Sequence, residues 1–473
     1  MITLDIIFEA LTGNAPTWAN QVVSDVGLDS RTMIPGGLFV AVPGEEEDGH
    51  DYLGDAFEQG ASFAFIQRQV PEKYTVLDLR PGQDHTFADP GEPPFCLRVQ
   101  DTVKALQDVA RFWRRKLNVR VIGITGSVGK STTKEITASV LKQRHRTLKN
   151  PGNLNNEIGL PMTLWRMSHG HDRAVLEMGF YVPGEIKFLC EIARPAVGVV
   201  TNIGTVHAER AGSIEDIARG KAELVEALPP APEGVAVLNY DDERVSEMAQ
   251  KTEARVFYYG LNPEADLWAD RVEGLGLEGI RFRLHYRDET LHIRVPLIGR
   301  HSVHTALRAA AVGLVEGLSW QEIISGLRTG QTQLRLMAVK AKSGAMLLDD
   351  TYNASPQSML AALNLLEEMS GRKIAVLGDM LELGPYEQQG HEKVGIRAAE
   401  VADSLVTVGE LARTIARAAQ RAGMPEGGIT VLDNNQAAID YLERVLDEDD
   451  VVMVKGSHSM GMDRIVAALE GSA

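Results

Sequence analysis

The stretch that decides the fold runs from Gly123 to Glu135 and reads Gly-Ile-Thr-Gly-Ser-Val-Gly-Lys-Ser-Thr-Thr-Lys-Glu. A run rich in β-branched residues, 119–124, leads into it. Apolar residues at helical spacing follow it at Ile136, Val140 and Leu141. This pattern predicts a strand, a glycine-rich turn and the start of a helix.

A turn of this kind predicts a binding site for the phosphates of a nucleoside triphosphate. Its backbone N–H groups converge on one point, which the helix dipole makes positive. Lys130 adds a full charge, and Ser131 or Thr132 can place a hydroxyl on Mg²⁺. The strict motif would begin with a glycine at position 124, where Ile124 stands, so the prediction depends on the shorter Gly-x-x-Gly-Lys-Ser pattern of 126–131. A plain structural turn is the alternative.

The composition narrows the class of protein. The net charge of −17 opposes a nucleic-acid partner, although a phosphorylated small molecule stays compatible with it. The first residues lack a basic segment followed by an apolar run, and no apolar stretch reaches the roughly 18 residues that a membrane span needs. The two cysteines, Cys96 and Cys190, are typical of reduced thiols. We therefore expect a cytoplasmic protein without membrane insertion.

Length and pattern predict an α/β fold of three domains. A chain of 473 residues suits about three domains, and the Pro- and Gly-rich segment 82–94 predicts a loop near the end of the first. We expect a smaller N-terminal α/β domain over 1–98 and a central domain over 99–332. The central domain has a mainly parallel sheet of the P-loop type and a small antiparallel appendage. A C-terminal, doubly wound, Rossmann-like domain covers 333–473.

Short apolar runs between helical patterns carry this prediction. In the central domain they predict strands at 174–177, 196–201 and 235–239, and a period-two pattern predicts the two-stranded appendage at 280–284 and 291–295. The C-terminal domain has five such runs, at 346–348, 374–377, 405–408, 429–432 and 451–454. Helices are predicted between and after them, at 359–369, 393–401, 412–422, 436–445 and 463–469.

Polar residues follow these strands in both domains. The ligand of a parallel sheet lies beyond the carboxyl ends of its strands. The residues at those positions are Thr125 to Lys130, Glu177, Thr201, Asn202, His207, Asp349, Asp350, Gly378, Asp379 and Lys455. If the two edges face each other, they form a cleft that can exclude water from bound substrates.

Lys221 lies on an apolar stripe at helical spacing. The stripe contains Ile214, Ile217, Leu224 and Val225, and Ser213 and Asp216 predict a capping box at the start of the helix. A lysine there must extend its amine to solvent, find an anion, lose its proton or be modified. Extension to solvent is the ordinary outcome. The alternative is a neutral amine that adds CO₂ to form a carbamate, an oxygen ligand suited to Mg²⁺.

Several motifs along the chain coincide with one family. They are Asp29 to Thr32, Pro35 to Ala41, Asp48 to Asp51, Thr125 to Thr132, Asn153 to Pro161, Glu177 to Gly179, Asn202 to His207, Gly220 to Glu223, Leu348 to Pro356, Val376 to Gly384 and Lys455 to Ser457. In this order they resemble the Mur ligases, ATP-dependent amide-forming enzymes of peptidoglycan synthesis. Within the family, the resemblance implies the step that joins D-alanyl-D-alanine to UDP-N-acetylmuramoyl-tripeptide through an acyl phosphate, catalysed by a monomer that uses ATP and Mg²⁺.

The resemblance also implies roles for individual residues. The first domain would bind the UDP-sugar, the second ATP and the third the amine. The catalytic residues would be Lys130, Asn155, Asn156, His207 and Lys221, the last of them carbamylated. The nucleotide would be bound by Thr125, Gly126, Ser127, Val128, Gly129, Lys130, Ser131, Thr132, Arg335 and Asp350. The substrates would be bound by Ser30, Arg31 and Asn353, and the metal by Ser131, Glu177, His207 and Lys221.

The chain departs from the family pattern at the segment 299–305. Ser302 and Thr305 stand where asparagines are common in the family, and this affects the expected contacts to adenine or ribose. Other classes of function also stay open. A ligase that adds the third stem amino acid is the nearest, although the Asp-Asn-Pro-Arg segment of the diaminopimelate-adding enzyme is absent. A folate polyglutamate ligase fits the first domain less well.

Two further alternatives differ in class. An ATP hydrolase that drives motion would leave Lys221 without a role. A non-catalytic UDP-sugar-binding paralogue would not need Lys130, Glu177, His207 and Lys221 together.

Overall fold

The computed structural model describes residues 1–44, 47–82, 87–330 and 337–471. It contains three β-sheets in succession along the chain, each with helices packed against it. The predicted α/β class is confirmed. The domain limits at 98/99 and 332/333 stay a prediction. Among the described residues, no helix combines the length and apolarity that crossing a bilayer requires.

The N-terminal sheet has five parallel strands in the order β1-β2-β3-β5-β4. The strands are β1 (Val26–Gly27), β2 (Gly37–Val40), β3 (Ala61–Ile66), β4 (Thr75–Asp78) and β5 (Phe95–Arg98). The helices of this part are α1 (Leu4–Thr12) and α2 (Leu53–Gln59), and α3 (Thr102–Lys116) follows. Buried residues of α1, α3 and the central sheet belong to one continuous apolar core, so the first two parts of the chain pack as neighbours.

The central sheet has nine strands in the order β14-β13-β12-β11-β10-β9-β6-β8-β7. The strands are β6 (Arg120–Thr125), β7 (Thr147–Lys149), β8 (Arg173–Glu177), β9 (Val197–Val200), β10 (Val235–Asn239), β11 (Arg255–Gly260), β12 (Leu267–Gly274), β13 (Ile280–Tyr286) and β14 (Glu289–Val295). The helices are α4 (Lys130–Leu141), α5 (Gly159–Trp165), α6 (Glu185–Ala193), α7 (Ala208–Ala211), α8 (Ile214–Glu226), α9 (Glu243–Ser246), α10 (Val303–Val315) and α11 (Trp320–Thr329).

The antiparallel appendage has three strands, not the two that the sequence predicted. β13 and β14 lie where they were expected, and β12 pairs antiparallel with β13 and parallel with β11. The appendage is therefore continuous with the central sheet. β12 escapes a period-two analysis because its register shifts between Asp270 and Glu273, where Arg271 adopts a left-handed φ of 47°.

The C-terminal sheet has six strands in the order β15-β16-β20-β17-β18-β19, and only β15 is antiparallel to its neighbour within it. The strands are β15 (Met337–Lys340), β16 (Met346–Asp349), β17 (Arg372–Gly378), β18 (Ser404–Val408), β19 (Ile429–Leu432) and β20 (Asp450–Lys455). The helices are α12 (Pro356–Glu368), α13 (Glu387–Val401), α14 (Arg413–Arg421), α15 (Asn435–Val445) and α16 (Asp463–Leu469). Separate apolar cores cover the two faces of this sheet.

Candidate active site

The glycine-rich turn connects β6 to α4, as the sequence predicts. Gly126 and Gly129 adopt positive φ angles of 142° and 84°, which side chains disfavour. A Cβ on Gly126 would also lie 1.8 Å from Thr201 Oγ1, at the end of the neighbouring strand. Glycine at this position lets the end of β9 approach the turn.

Side chains from the end of β9 hold the turn in place. Asn202 accepts a hydrogen bond from the Val128 N–H at 2.9 Å and donates to the Val128 carbonyl at 3.0 Å. Thr201 Oγ1 donates to the same carbonyl at 2.7 Å. Lys130 Nζ bends back to the carbonyls of Gly126 and Ser127, at 2.9 and 3.3 Å. These hydrogen bonds preorganise the turn, and they hold the ammonium group of Lys130 at its edge.

A cavity of about 660 Å³ lies between the central sheet and the C-terminal sheet. Its lining combines the polar residues that follow strands of both sheets, as predicted. The predicted site residues among them are Ser127, Val128, Gly129, Lys130, Ser131, Thr132, Asn155, Glu177, His207, Asp350 and Asn353. The cavity has the size and concave form of a small-molecule site.

Glu177 is a buried carboxylate at the end of β8. Asn155 Nδ2 donates to Glu177 Oε1 at 2.9 Å, and Asn150 accepts the backbone N–H of Glu177 at 2.9 Å. Glu177 Oε2 is buried without a hydrogen-bond partner among the described residues. Lys134, which is 1% exposed, lies 4.0 Å from this oxygen and donates to the carbonyl of Asn150 at 2.8 Å. A buried carboxylate oxygen with a free lone pair is suited to a hard cation.

Lys221 lies on the buried stripe of α8 and is only 1% exposed, so its amine does not extend to solvent, which was the ordinary outcome expected for a lysine there. Its ammonium lies 4.3 Å from the centre of the Phe180 ring and has no hydrogen-bond partner within the described ranges. A Cβ on Gly220 would approach the Phe180 ring to 2.1 Å, so this glycine lets the ring cover the lysine. Burial, and after it the charge of Lys130, lower the pKa of Lys221 well below its usual value. A neutral amine is therefore favoured.

His207 connects the central and C-terminal parts. It adopts a left-handed φ of 65° at the start of α7, and its Nδ1 lies 2.7 Å from Glu382 Oε2. Burial is the main cause that lowers its pKa, and the charges of Lys130 and Lys221 act in the same direction, whereas Glu382 opposes them. His207, Lys130 and Lys221 therefore lie within electrostatic reach of one another.

The C-terminal sheet contributes a second lysine. Lys455, at the end of β20, is buried; its Nζ lies 2.7 Å from Asp350 Oδ2 and donates to the Asn353 carbonyl at 2.8 Å. This contact fixes the loop after β16 at the rim of the cavity. The sequence pattern placed Lys455 at a strand end without assigning it a role.

Some predicted residues lie elsewhere. Thr125 is buried and donates to the Met178 carbonyl at 3.2 Å, and Gly126 shapes the turn from beneath. Asn156 accepts the backbone N–H of Gly159 at 2.9 Å, at the start of α5, and does not line the cavity. Ser30 and Arg31 belong to the N-terminal part, where Arg31 is exposed and paired with Asp29. Arg335 lies outside the described residues.

Arg308 and Glu382 are among the residues in or beside the cavity that the sequence did not predict. Arg308 on α10 reaches the cavity beside Gly129, and Glu382 reaches His207. Glu382 was within a quoted family motif, but its contact depends on packing between distant parts of the chain. Arg308 had a local signal, because a charged residue interrupts the otherwise apolar face of α10.

Comparison with known proteins identifies the family of each part. Three family domain models match: the Mur ligase family, catalytic domain, over 22–113; the Mur ligase middle domain over 124–313; and the Mur ligase, glutamate ligase domain, over 334–458. A UDP-N-acetylmuramoyl-tripeptide–D-alanyl-D-alanine ligase from Synechocystis is 34% identical over 450 residues, covering 94% of this chain and 92% of the relative.

Solved structures agree with these matches. The crystal structure I of MurF from Acinetobacter baumannii superposes with a TM-score of 0.83 at 29% identity and covers 99% of both chains. The MurF ligase from Thermotoga maritima in complex with ADP has a TM-score of 0.77 at 26% identity, covering 94% of this chain and 96% of that one.

Proposed function

The chain belongs to the Mur ligase family, and on that premise we propose that it joins D-alanyl-D-alanine to UDP-N-acetylmuramoyl-tripeptide, with cleavage of ATP to ADP and phosphate. The observation that carries the proposal is the cavity, which the glycine-rich turn and the strand ends of a second sheet form together. A ligase must hold a nucleotide, a carboxylate and an amine at one place. A cleft between two sheet edges can bind all three reactants side by side.

An amide does not form from a carboxylate in water without activation. In the proposed reaction the terminal carboxylate of the tripeptide attacks the γ-phosphorus of ATP, which gives an acyl phosphate and ADP. The free amine of D-alanyl-D-alanine then attacks the acyl carbon, loses a proton, and inorganic phosphate leaves. The protein contributes mainly by positioning the three reactants and by neutralising charge.

The polar residues of the cavity would divide this work. Lys130 and the N–H groups of the turn would hold the phosphates, after Lys130 exchanges its loop carbonyls for phosphate oxygens. Asn155 would orient Glu177, to which it donates a hydrogen bond, and would contact the transferred phosphoryl group. Asp350, held by Lys455, would close on the nucleotide from the other sheet.

A divalent cation fits the same place. Glu177 and the hydroxyl of Ser131 would hold Mg²⁺ together with phosphate oxygens, and the family pattern adds His207. No group of three or more His, Cys, Asp and Glu side chains forms a metal cluster in the described part of the chain. This agrees with an ion that takes one or two carboxylates and completes its shell with phosphates and water. When bound, Mg²⁺ would neutralise the charge that develops on the phosphoryl oxygens.

Lys221 would act as its carbamate. The neutral amine adds CO₂ with loss of one proton, and the product places two oxygens that share one negative charge on a side chain whose amine lies over the Phe180 ring. Burial lowers the pKa of Lys221 and so raises the share of the neutral amine, which is the form that adds CO₂. The new charge would be matched by Lys130, which lies within electrostatic reach.

The remaining predictions complete the proposal. Ser30 and Arg31 would bind the uridine diphosphate, Asn353 the amine substrate, Arg335 the nucleotide, and Asn156 would assist Asn155 near the phosphoryl group. The protein would act as a monomer in the cytoplasm, where Cys96 and Cys190, both buried and unpaired, stay reduced.

Phosphate release tests the proposal. The assay supplies ATP and Mg²⁺ with UDP-N-acetylmuramoyl-tripeptide, with D-alanyl-D-alanine, and with both. Release that needs both substrates is the expected result. Release with UDP-N-acetylmuramoyl-dipeptide and a single amino acid would assign the chain to the third-residue step. UDP-sugar binding without any release would make it a non-catalytic paralogue.

A further inference from the structure

Arg308 is a buried cation in the cavity that the proposed mechanism does not use. Arg308 lies on α10, and the whole residue is 4% exposed. It lines the cavity beside the glycine-rich turn. A Cβ built on Gly129 would lie 3.3 Å from Arg308 Nη2. The guanidinium therefore touches the start of α4, where the backbone N–H groups of the turn converge.

The charge of Arg308 is not neutralised by the protein. Its Nη2 donates to Thr305 Oγ1 at 2.8 Å, and it interacts with the Tyr259 hydroxyl. Its Nε is buried without a partner, and no carboxylate lies within 4.0 Å of it in the described ranges. An unpaired buried charge is unfavourable unless a ligand compensates it.

Arg114 shows what a satisfied buried arginine looks like in the same chain. It is 8% exposed, and its guanidinium donates to the carbonyls of Ala193, Leu117 and Val119 at 2.7, 3.1 and 2.8 Å. Arg114 does not line the cavity between the central and C-terminal sheets, whereas Arg308 does. The donors that Arg308 leaves unused are available to an anion that enters the cavity.

Asp241 and Asp242, the carboxylates whose charges act on Tyr259 together with that of Arg308, already have other partners. Asp241 lies 2.8 Å from His304 Nε2 and accepts the Leu261 N–H at 2.7 Å. Asp242 accepts the Ile203 N–H at 2.8 Å. The missing anion must therefore come from the ligand. A guanidinium fork is well matched to phosphate oxygens.

The order of the central sheet shows which phosphates Arg308 can reach. Arg308 lies over Tyr259 of β11, at 5.9 Å from the ring centre. β11 and β10 are on one side of β6, and β8, with Glu177 at its end, is on the other. Arg308 and Glu177 thus approach the turn from opposite sides. The transferred phosphoryl group belongs on the Glu177 side, so Arg308 faces the phosphates that stay on ADP.

We propose that Arg308 is a second phosphate-binding cation of the nucleotide site and holds the diphosphate that ATP and ADP share. This inference rests on the proposed function in two respects: the nucleotide is taken to be ATP, and the transferred phosphoryl group is taken to lie on the Glu177 side of the turn. The contact is present before and after phosphoryl transfer. Arg308 therefore strengthens binding of the nucleotide without selective stabilisation of the transition state.

The contact between Arg308 and the diphosphate is tested with the variants Arg308→Met and Arg308→Lys. Their affinity for ADP is measured by calorimetric titration, and their affinity for adenosine by competition. A charge-assisted contact predicts that the ADP Kd rises about 10- to 100-fold in Arg308→Met, with adenosine affinity within about threefold. Arg308→Lys keeps the charge but not the fork, so a smaller rise of about three- to tenfold is expected. In turnover, the KM for ATP should rise while kcat stays within about threefold.

An exposed arginine, Arg421, offers a matched control for the loss of charge. Arg421→Met removes the same charge from an arginine whose side chain is 74% exposed, and should leave the ADP Kd within about twofold. Equal weakening of ADP and adenosine in Arg308→Met would assign Arg308 a structural role and overturn the inference. If Arg308→Met does not fold, an unchanged ADP Kd in Arg308→Lys overturns it instead. Failure of the wild-type chain to bind ADP would contradict the proposed function itself.

Discussion

Lys130 and Lys221 have different surroundings, which suit them to different chemistry. Lys130 lies at the rim of the cavity, where its ammonium group donates to two carbonyls of the turn. Lys221 is enclosed by apolar residues and the Phe180 ring, and burial lowers its pKa. One side chain is suited to hold phosphates as a cation, and the other is suited to react as an amine. The same residue type thus serves two kinds of chemistry.

Lys130→Ala should lose about 3–4 kcal/mol of transition-state stabilisation, since an electrostatic donor aimed at the developing charge is removed. This corresponds to a fall of about 10²- to 10³-fold in kcat/KM, measured by phosphate release with both substrates. Lys142→Ala is the matched control, because Lys142 follows the last turn of the same helix and is exposed. A Lys130→Ala enzyme within about tenfold of wild type would contradict the assignment.

Lys221→Ala should be inactive in the standard assay and partly recover in acetate, because a small carboxylate can take the place of the carbamate. The measurement is kcat against acetate concentration in the variant. Lys130→Ala provides the control, since it keeps Lys221 and should not respond to acetate. Full activity of Lys221→Ala without any additive would exclude a role for the carbamate.

At the scale of the element, α8 shows how packing outweighs helix propensity. Gly220 lies inside this helix, where alanine would ordinarily favour folding by about 1 kcal/mol. A Cβ there would meet the Phe180 ring at 2.1 Å, and overpacking of this kind typically costs about 1–3 kcal/mol. The ring is also the cover of Lys221. The balance therefore favours glycine at this position.

Gly220→Ala should lower the free energy of unfolding by up to about 2 kcal/mol net and reduce activity, because Phe180 must move away from Lys221. Chemical denaturation and the phosphate-release assay measure the two effects. Gly427→Ala is the control, since its Cβ would meet no atom within 4 Å. Unchanged stability in Gly220→Ala would show that the ring adjusts freely and that the cover is not rigid.

Elements with a strong local pattern were predictable from the sequence. β10 and α16 match their predicted bounds, and the turn at 126–131 lies between β6 and α4 as expected. β12 was missed because Arg271 breaks its alternation, and β15 because four residues at a sheet edge carry little pattern. β11 was missed although its apolar run resembles the strands that were found.

The site was predictable where its residues follow strands and not where it depends on distant packing. Glu177 and Lys221 were placed by strand-end and helical-stripe patterns, and both are buried; Glu177 lines the cavity, and Lys221 feels the charge of Lys130 in the turn. Arg308 reaches Gly129 across 179 positions of sequence, and Glu382 reaches His207 from another sheet. No local pattern specifies which helix packs over a turn, so contacts of this kind need the folded structure.

At the scale of the whole molecule, the active cavity exists only while two sheets face each other. The His207–Glu382 contact and the packing of Gly384 against Glu209, where a Cβ would approach the Glu209 Cα to 2.9 Å, connect the central part to the C-terminal part beside the cavity. A ligand that touches both walls must therefore couple their motions. The coupling is measurable without turnover.

ADP with Mg²⁺ at about 100 times its Kd should stabilise the folded chain by about 2.7 kcal/mol. If the nucleotide bridges both walls, amide hydrogen exchange should slow in the turn at 126–133 and in the loop at 350–358 together, by up to about 100-fold. β19, an edge strand of the C-terminal sheet, serves as the internal control, and its exchange should not change. Protection of 126–133 alone would mean that ADP binds to the central sheet only, and that closure of the second sheet awaits the carboxylate or the amine. In that case Asp350 and Lys455 would act on the acyl phosphate stage, since only then would the two sheet edges be brought together.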